Sequence, residues 1–167
     1  RDSNLKDLLV HSSLNSKPVG THPCGHFSCR TCEHTNPSDT ISGTKAPFKI
    51  QQSFICSSVC VIYSILCTKC SILYIGETCR QINNRFGEHL RSVEGKKHLS
   101  PDNQDDDDIH VSLHFNLPDH SIDNMSISGL LYAPTDEPER KTLEKRIIFK
   151  LGTVTPSGLN KRFSFLF

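Results

Sequence analysis

Two short apolar segments, each with one tyrosine, stand out in the pattern of hydrophobic and polar residues. They extend from Val61 to Leu66 and from Ile72 to Ile75, and the polar residues CTKC separate them. Runs rich in β-branched and aromatic residues favour strands, and so short a break favours a hairpin. Tyr63 and Tyr74 lie an odd number of residues apart, so the pattern leaves open whether they share a face. Gly76 ends the second run, where a bulge or a close backbone approach needs a residue without Cβ.

Later segments predict a third strand and two helices. Ser126 to Ala133 has the composition of a strand. From Arg80 to Val93, apolar residues recur every three or four positions, which predicts an amphipathic helix. The residues of this apolar stripe are Ile82, Phe86, Leu90 and Val93. Asp136, with Glu139 three residues later, is a typical start for the second helix, and Gly152 is a typical end.

Length and charge allow one domain that contacts nucleic acid through local patches. A chain of 167 residues fits one domain, or one domain with a small appendage. The net charge is only +1, but Lys and Arg are concentrated from Arg85 to Lys97 and from Arg140 to Lys150. We interpret residues 94–110, with the acidic run Asp105 to Asp108, as a disordered insertion, because clustered like charges stay solvated. No apolar run is long enough to span a bilayer, so we expect no membrane partner.

The chain has eight cysteines and nine histidines, and we expect no signal peptide because its first residues contain no apolar h-region. A secreted domain of this kind would form disulfides, whereas Cys-x-x-Cys pairs with nearby histidines inside a cell favour zinc. We therefore expect one or two structural Zn²⁺ ions, with a disulfide-rich extracellular domain as the competing hypothesis. Cys60 and Cys79 have no partner at a useful spacing, and we interpret both as small packing residues.

The first dense group of ligands lies near the N-terminus. Cys24, Cys29 and Cys32 are separated by four and by two residues. Thiolates at this spacing can surround one tetrahedral Zn²⁺ if a fourth ligand comes from elsewhere. The nearby histidines His22, His26 and His34 are candidates for that position, and spacing does not decide among them.

The second group of ligands lies between the two tyrosine strands. Cys67 and Cys70 form a Cys-x-x-Cys pair whose partners must come from a distant segment. Further along the chain, only His114 and His120 are spaced so that they could act as a second pair of ligands. Two Cys and two His would complete a closed structural zinc site without an open position for chemistry. Such a site would join the hairpin to the loop before the last strand.

The two tyrosine segments resemble a known family. VIY at Val61, followed by YIG at Tyr74, is similar to the paired motif of GIY-YIG endonucleases, with Val61 in place of the usual glycine. The YIGET ending, the Cys67 and Cys70 pair and the late GLN triplet resemble, more narrowly, the endonuclease domain of Penelope-like retroelements. The resemblance extends from about Cys24 to Asn160. It implies an α/β fold with a small, three-stranded, mainly antiparallel sheet, flanking helices and zinc-stapled insertions.

The resemblance also implies roles for individual residues. The family pattern expects an Arg and, four residues later, a His or Tyr on the first helix, and Arg85 and His89 match it. Tyr63 would be the general base, or would orient the attacking water, and Tyr74 would help to position it. In the last helix, Glu144 would hold a catalytic Mg²⁺ or Mn²⁺, an ion that needs few protein ligands. The late Asn of the family corresponds to Asn160. The family also has a cysteine just before the first tyrosine strand, which implies that Cys56 is the fourth ligand of the N-terminal group.

These inferences divide the chain into three parts. Residues 1–23 are predicted to be a linker or the tail of an upstream domain, residues 24–58 a Cys-rich zinc-binding segment, and residues 59–167 the endonuclease domain. The resemblance implies a metal-dependent enzyme that nicks DNA in the nucleus, next to an upstream reverse transcriptase domain in a longer protein. The alternative is a catalytically inactive zinc-binding module that docks nucleic acid or protein.

Overall fold

A computed structural model describes residues 18–95 and 108–161 of the chain. In this part of the chain the strands are β1 (Gly20–His22), β2 (Thr40–Ser42), β3 (Pro47–Lys49), β4 (Ser53–Ile55), β5 (Val61–Cys67), β6 (Leu73–Thr78) and β7 (Met125–Tyr132). The α-helices are α1 (Ile82–Glu94), α2 (Asp108–Phe115) and α3 (Glu137–Leu151). None of the helices in these two ranges is long and apolar enough to cross a membrane.

The central sheet has three antiparallel strands in the order β6-β5-β7. The predicted three-stranded α/β fold is therefore confirmed. The middle strand β5 is almost entirely buried, which is why its sequence is apolar on both faces and does not alternate.

The register of the hairpin answers the question that the sequence left open. Tyr63 pairs with Gly76, and Ile65 pairs with Tyr74. Residues opposite each other, or two apart on one strand, share a face, so both tyrosines point to the same side of the sheet. Their ring centroids are 6.3 Å apart. A Cβ on Gly76 would lie 2.5 Å from the hydroxyl oxygen of Tyr63, so the predicted close approach at this glycine is confirmed.

Helix α1 packs on the face that carries the two tyrosines. All four residues of its predicted apolar stripe are buried, and His89 is buried with them. Helix α3 also begins and ends where the sequence predicts. The side chain of Asp136 accepts a hydrogen bond from the backbone N–H of Glu139, and Gly152 adopts a left-handed conformation with φ of 70°.

The N-terminal segment covers the open edge of β7. The backbone N–H of Gly129 donates to the hydroxyl of Thr21 (2.8 Å), and the N–H of Asn36 donates to the carbonyl of Ile127 (3.1 Å). Phe54, on β4, packs directly on Gly129, where a Cβ would lie 2.4 Å from its ring. Because Phe54 belongs to the same hydrophobic core as the central sheet, residues 24–58 are part of one folded unit and not a separate domain.

Two predicted boundaries are corrected by the structure. Residues 20–22 form a strand that pairs in parallel with β4, so the predicted linker of residues 1–23 is wrong from Gly20 onward. Residues 1–17 lie outside the described part. The predicted disordered insertion of residues 94–110 is wrong at both ends, because Glu94 ends α1 and Asp108 begins α2. The residues between, 96–107, lie outside the described part.

Cys60 and Cys79 form a disulfide, so their interpretation as packing residues is wrong. Val61 and Thr78 are the last pair of the hairpin, and the two cysteines are the next residues outward on each strand. Strand pairing thus brings together two residues that are 19 positions apart in the sequence. Only the register of the hairpin could have revealed this pairing, and the sequence pattern did not determine that register.

We predict that Gly76→Ala destabilises the protein by about 1–3 kcal/mol, because the new methyl group overpacks a buried contact with Tyr63. The matched control is Gly87→Ala in α1, where a Cβ meets only the flexible end of Arg91 at 3.3 Å. This control should stabilise the helix by up to about 1 kcal/mol. Urea unfolding of both variants checks the prediction, and equal stabilities of the two would contradict the packing described for Gly76.

Candidate active site

A hydrogen-bonded cluster lies between the centre of β5 and helix α1. The hydroxyl oxygen of Tyr63 is 2.8 Å from Nε2 of His89, and it accepts a hydrogen bond from Nε–H of Arg85 at 3.1 Å. Tyr63 and His89 are fully buried, whereas the side chain of Arg85 keeps 19% of its surface exposed. Because Arg85 can only donate, the hydroxyl hydrogen of Tyr63 is available to His89.

Helical periodicity explains why α1 supplies both partners of Tyr63. Arg85 and His89 are four residues apart, so they project from the same side of the helix. Arg85 lies at the border of the buried stripe and reaches solvent, and His89 lies one turn further inside. Tyr74 completes the cluster, because its ring meets the ring of His89 edge-on at a centroid distance of 5.5 Å. The structure therefore brings together four of the six residues predicted for the active site.

Glu88 fixes the guanidinium of Arg85 from the solvent side. Its carboxylate accepts from Nη1 of Arg85 at 3.0 Å, and it accepts two hydrogen bonds from Arg80, at 2.6 and 2.9 Å. The hydrogen bonds from Arg80, and then those from Arg85, lower the pKa of Glu88 to about 2, which keeps it ionised at neutral pH. Arg80 and Glu88 were missed in the sequence. In the sequence, only the position of Glu88, three residues after Arg85, could have indicated that these two side chains form an ion pair.

Glu144 lies on α3, one turn after Arg140, and is half-buried. Arg140 is buried and forms an ion pair with Glu77 on β6, so this predicted surface cation instead joins α3 to the edge of the sheet. It also donates to the carbonyl of Thr135 at 2.8 Å. The meeting of Glu144 with Tyr63 and Arg85 in one metal-binding cleft stays a prediction.

Asn160 lies against the outer edge of β6 and hydrogen-bonds its backbone. Its side-chain amide accepts from the N–H of Ile75 at 3.0 Å and donates to the carbonyl of Ile75 at 2.7 Å. The hydroxyl of Thr153 donates to the same amide oxygen at 2.7 Å. Asn160 thus acts as a one-residue extension of the sheet between Tyr74 and Gly76. In this position it supports the strand that carries Tyr74, and a contact with substrate stays a prediction.

The second ligand group comes together at the turn of the hairpin. The ligand atoms of Cys67, Cys70, His114 and His120 all lie within 4.8 Å of one another. His114 lies in helix α2 and not in a loop, which corrects its predicted setting. Burial, and then the nearby His120, lowers the pKa of His114 and favours the neutral form that binds metals.

The geometry of His120 fits a zinc ligand. Its Nδ1 is 3.1 Å from the carbonyl of Pro118, a contact that leaves Nε2 as the ligand atom. This Nε2 is buried and has no hydrogen-bond partner among the described residues. On the other side of the group, Nε2 of His114 is 3.4 Å from the sulfur of Cys70. The four residues can therefore hold one Zn²⁺ with a closed shell.

The N-terminal ligand group forms with Cys56 as its fourth member. The sulfur atoms of this group, from Cys24, Cys29, Cys32 and Cys56, lie within 4.8 Å of one another. The Cys24 and Cys32 sulfurs are 3.5 Å apart, and the Cys32 and Cys56 sulfurs are 3.6 Å apart. A tetrahedron with Zn–S bonds of about 2.3 Å has edges of about 3.8 Å, so these distances fit zinc. Burial raises the pKa of the Cys56 thiol, and a bound cation would favour its thiolate form.

Comparison with known proteins found a family model and a solved structure that are similar to parts of this chain. Residues 59–120 match the family model of the GIY-YIG catalytic domain. The catalytic domain of the homing endonuclease I-TevI has a similar structure, with a TM-score of 0.48 and 20% sequence identity. The alignment covers 62% of this chain and 98% of that one. None of the curated proteins matches the chain.

The matched segment contains Tyr63, Tyr74, Arg85 and His89, the four residues of the cluster between β5, β6 and α1. It also contains the ligand group at the turn of the hairpin, whereas the N-terminal ligand group and Glu144 lie outside it. This part of the chain is similar to GIY-YIG catalytic domains, and the match indicates an endonuclease.

We predict two zinc ions per chain by elemental analysis of the purified protein, because two separate groups have four ligand atoms each. His114→Ala and Cys29→Ser should each lower the content to one. The matched control is the double variant Cys60→Ser with Cys79→Ser, which removes two cysteines from outside both groups and should retain two ions. A content of zero in the unmodified protein would contradict both zinc assignments.

Proposed function

We propose that this protein is a divalent-metal-dependent endonuclease that nicks DNA during the mobility of a retroelement. The observation that carries the proposal is the contact of the Tyr63 hydroxyl with both Arg85 and His89. A phenol between a cation and an imidazole is a suitable group for moving a proton to or from a water molecule. The catalytic domain that matches this segment gives the reaction class.

Arg85 is the group that a phosphate from solvent reaches first. It is the partly exposed member of the cluster, and its planar donors suit a phosphate oxygen. Glu88 holds the guanidinium in place, so little conformational entropy is lost when a phosphate binds. The hydroxyl of Tyr63 lies directly behind, 3.1 Å from Nε of Arg85. A phosphate bound to Arg85 is therefore brought next to the group that handles the proton.

Tyr63 and His89 form a path for the proton of the attacking water. The hydroxyl of Tyr63 can pass its hydrogen to Nε2 of His89 and accept the hydrogen of a water molecule in its place. The positive charge of Arg85 stabilises negative charge on the phenol oxygen during this exchange. Because the cluster is buried, these hydrogen bonds act in a medium of low dielectric constant and are strong.

Glu144 is the carboxylate that we propose for the metal ion. A single half-buried carboxylate suits Mg²⁺ or Mn²⁺, since such an ion keeps several waters and takes other ligands from the phosphate. The ion would supply charge stabilisation for the scissile phosphate. Lys and Arg residues around Glu144 on α3 fit the approach of a DNA backbone.

The retroelement context rests on the sequence pattern. The YIGET ending, the Cys67 and Cys70 pair and the GLN triplet at Gly158 resemble the endonuclease domain of Penelope-like elements. The grouping of Cys67 and Cys70 with two histidines supports this narrower assignment. We propose on this basis that a reverse transcriptase domain precedes the chain in a longer protein, that the nick supplies its primer and that the protein works in the nucleus.

Conversion of supercoiled plasmid to the nicked form, with and without Mg²⁺ or Mn²⁺, tests the proposal. Tyr63→Phe removes the hydroxyl and should lower the rate by about 100-fold or more. The matched control is Tyr132→Phe, which removes a half-exposed hydroxyl on β7 and should leave the rate unchanged. Glu144→Gln should remove the metal dependence together with most of the rate, whereas Glu137→Gln, an exposed carboxylate on the same helix, should not.

Zinc content and unfolding must be measured for the same variants, so that a loss of rate is not a loss of folding. Nicking at the full rate by both Tyr63→Phe and Glu144→Gln would identify a contaminant and contradict the assignment. A folded, zinc-loaded protein that does not nick at all would favour the non-catalytic zinc-binding module.

A further inference from the structure

Phe27 is a large apolar residue in an unusual position. Its side chain is fully exposed, and it is the most exposed large hydrophobic residue in the described part of the chain. It lies in a turn that is closed by a hydrogen bond from the N–H of Cys29 to the carbonyl of His26, at 3.2 Å. Cys24 and Cys29, on either side of the turn, belong to the N-terminal ligand group. Both sides of the turn thus belong to this group, and its tip presents an aromatic ring to solvent.

A groove of about 450 Å³ lies beside this turn, between it and helix α1. His26 and Ser28, the sequence neighbours of Phe27, line the groove, whereas Phe27 itself does not. On the opposite wall, α1 contributes polar and cationic side chains. These residues are Asn83, Asn84 and Arg91. Gly87 lies between them, and the absence of a side chain there keeps the wall open.

The chemistry of the groove suits a nucleic acid strand. Arg30 and Arg91 are cations, and the amides of Asn83 and Asn84 can donate or accept hydrogen bonds. Arg30 is paired with Glu94, but more than half of its side chain is exposed. Such a surface ion pair contributes little stability, so a phosphate can replace the carboxylate. Phosphate contacts from a groove, with an exposed aromatic ring on a neighbouring turn, are a combination by which proteins bind single strands.

Helix α1 connects the groove to the active site. Asn84 and Glu88 are four residues apart, and Glu88 and Arg91 are three apart, so these side chains form one continuous strip. Glu88 is also the residue that holds Arg85. Helix α1 therefore contributes residues to the groove on one face and to the active site on another.

We propose that this groove, on a different face of α1 from the active site, binds one strand of the DNA substrate, with Phe27 stacked on an unpaired base. The proposal rests on the proposed function for the identity of the substrate. A groove of this volume has room for part of one strand and not for a duplex. In a duplex the bases are already stacked on one another, so the exposed ring selects DNA with unpaired bases.

Fluorescence anisotropy with a short labelled single-stranded oligonucleotide tests the proposal. The full, zinc-loaded chain is used without added magnesium, so that binding is measured apart from cleavage. Phe27→Ala should raise the Kd for the single strand by about 5- to 150-fold, the range found for loss of one stacked base. Phe27→Trp should retain tight binding. The matched control is Phe149→Ala, which removes another exposed phenylalanine, on α3, and should leave the Kd unchanged.

A duplex oligonucleotide and the salt dependence give two further readouts. Phe27→Ala should change the Kd for an intact duplex by less than twofold. Arg91→Gln should lower the slope of log Kd against log salt by about 0.7 for the single strand, the value for one phosphate contact.

Each outcome decides the proposal. An unchanged Kd in Phe27→Ala, an equal loss for duplex and single strand, or no measurable binding of single strands by the unmodified protein would overturn it. Because binding is measured without cleavage, a result that contradicts the strand-binding groove does not contradict the proposed nicking activity, and the reverse also holds. A protein that nicks plasmid DNA but binds independently of Phe27 retains the proposed function only. A protein that binds through Phe27 but does not nick retains only the strand-binding groove.

Discussion

The sheet and helix α1 meet at the hydroxyl of Tyr63. This oxygen is buried, so it needs hydrogen-bond partners, and α1 supplies both from residues four positions apart. The ring of Tyr63 fits against β6 because residue 76 of that strand is a glycine and has no side chain. One constraint therefore couples the register of the hairpin, the placement of α1 and the composition of the site. The chemistry that we propose uses the same hydrogen bonds that hold the fold together.

The remaining parts of the protein support this central contact from the periphery. Asn160 completes the outer edge of β6, and the N-terminal segment completes the outer edge of β7, so that both edges of a small sheet are hydrogen-bonded. Each of the two ligand groups joins segments that are distant in the sequence. A three-stranded sheet offers a small core, and metal sites are a common way to stabilise such a core.

The three strands of the central sheet, α1 and α3 could be predicted because each has a strong local signal. The stripe of Ile82, Phe86, Leu90 and Val93 has helical spacing, and Asp136 and Gly152 are typical ends of a helix. The face of Tyr74 and the disulfide of Cys60 could not be predicted, since both depend on the register of the hairpin. The strand at Gly20–His22 has only three residues and no pattern. The acidic run before α2 hid the start of that helix, and Arg80 and Glu88 are exposed residues without periodicity.

The central claim is that Tyr63 and His89 act as one unit in moving the proton of the attacking water. A double-mutant cycle with Tyr63→Phe and His89→Ala, measured as single-turnover nicking rates at saturating enzyme, tests it most directly. The account predicts that the double variant is no slower than the slower single variant, since either change alone breaks the proton path. Losses that multiply in the double variant would show that the two residues act independently, and would contradict the account.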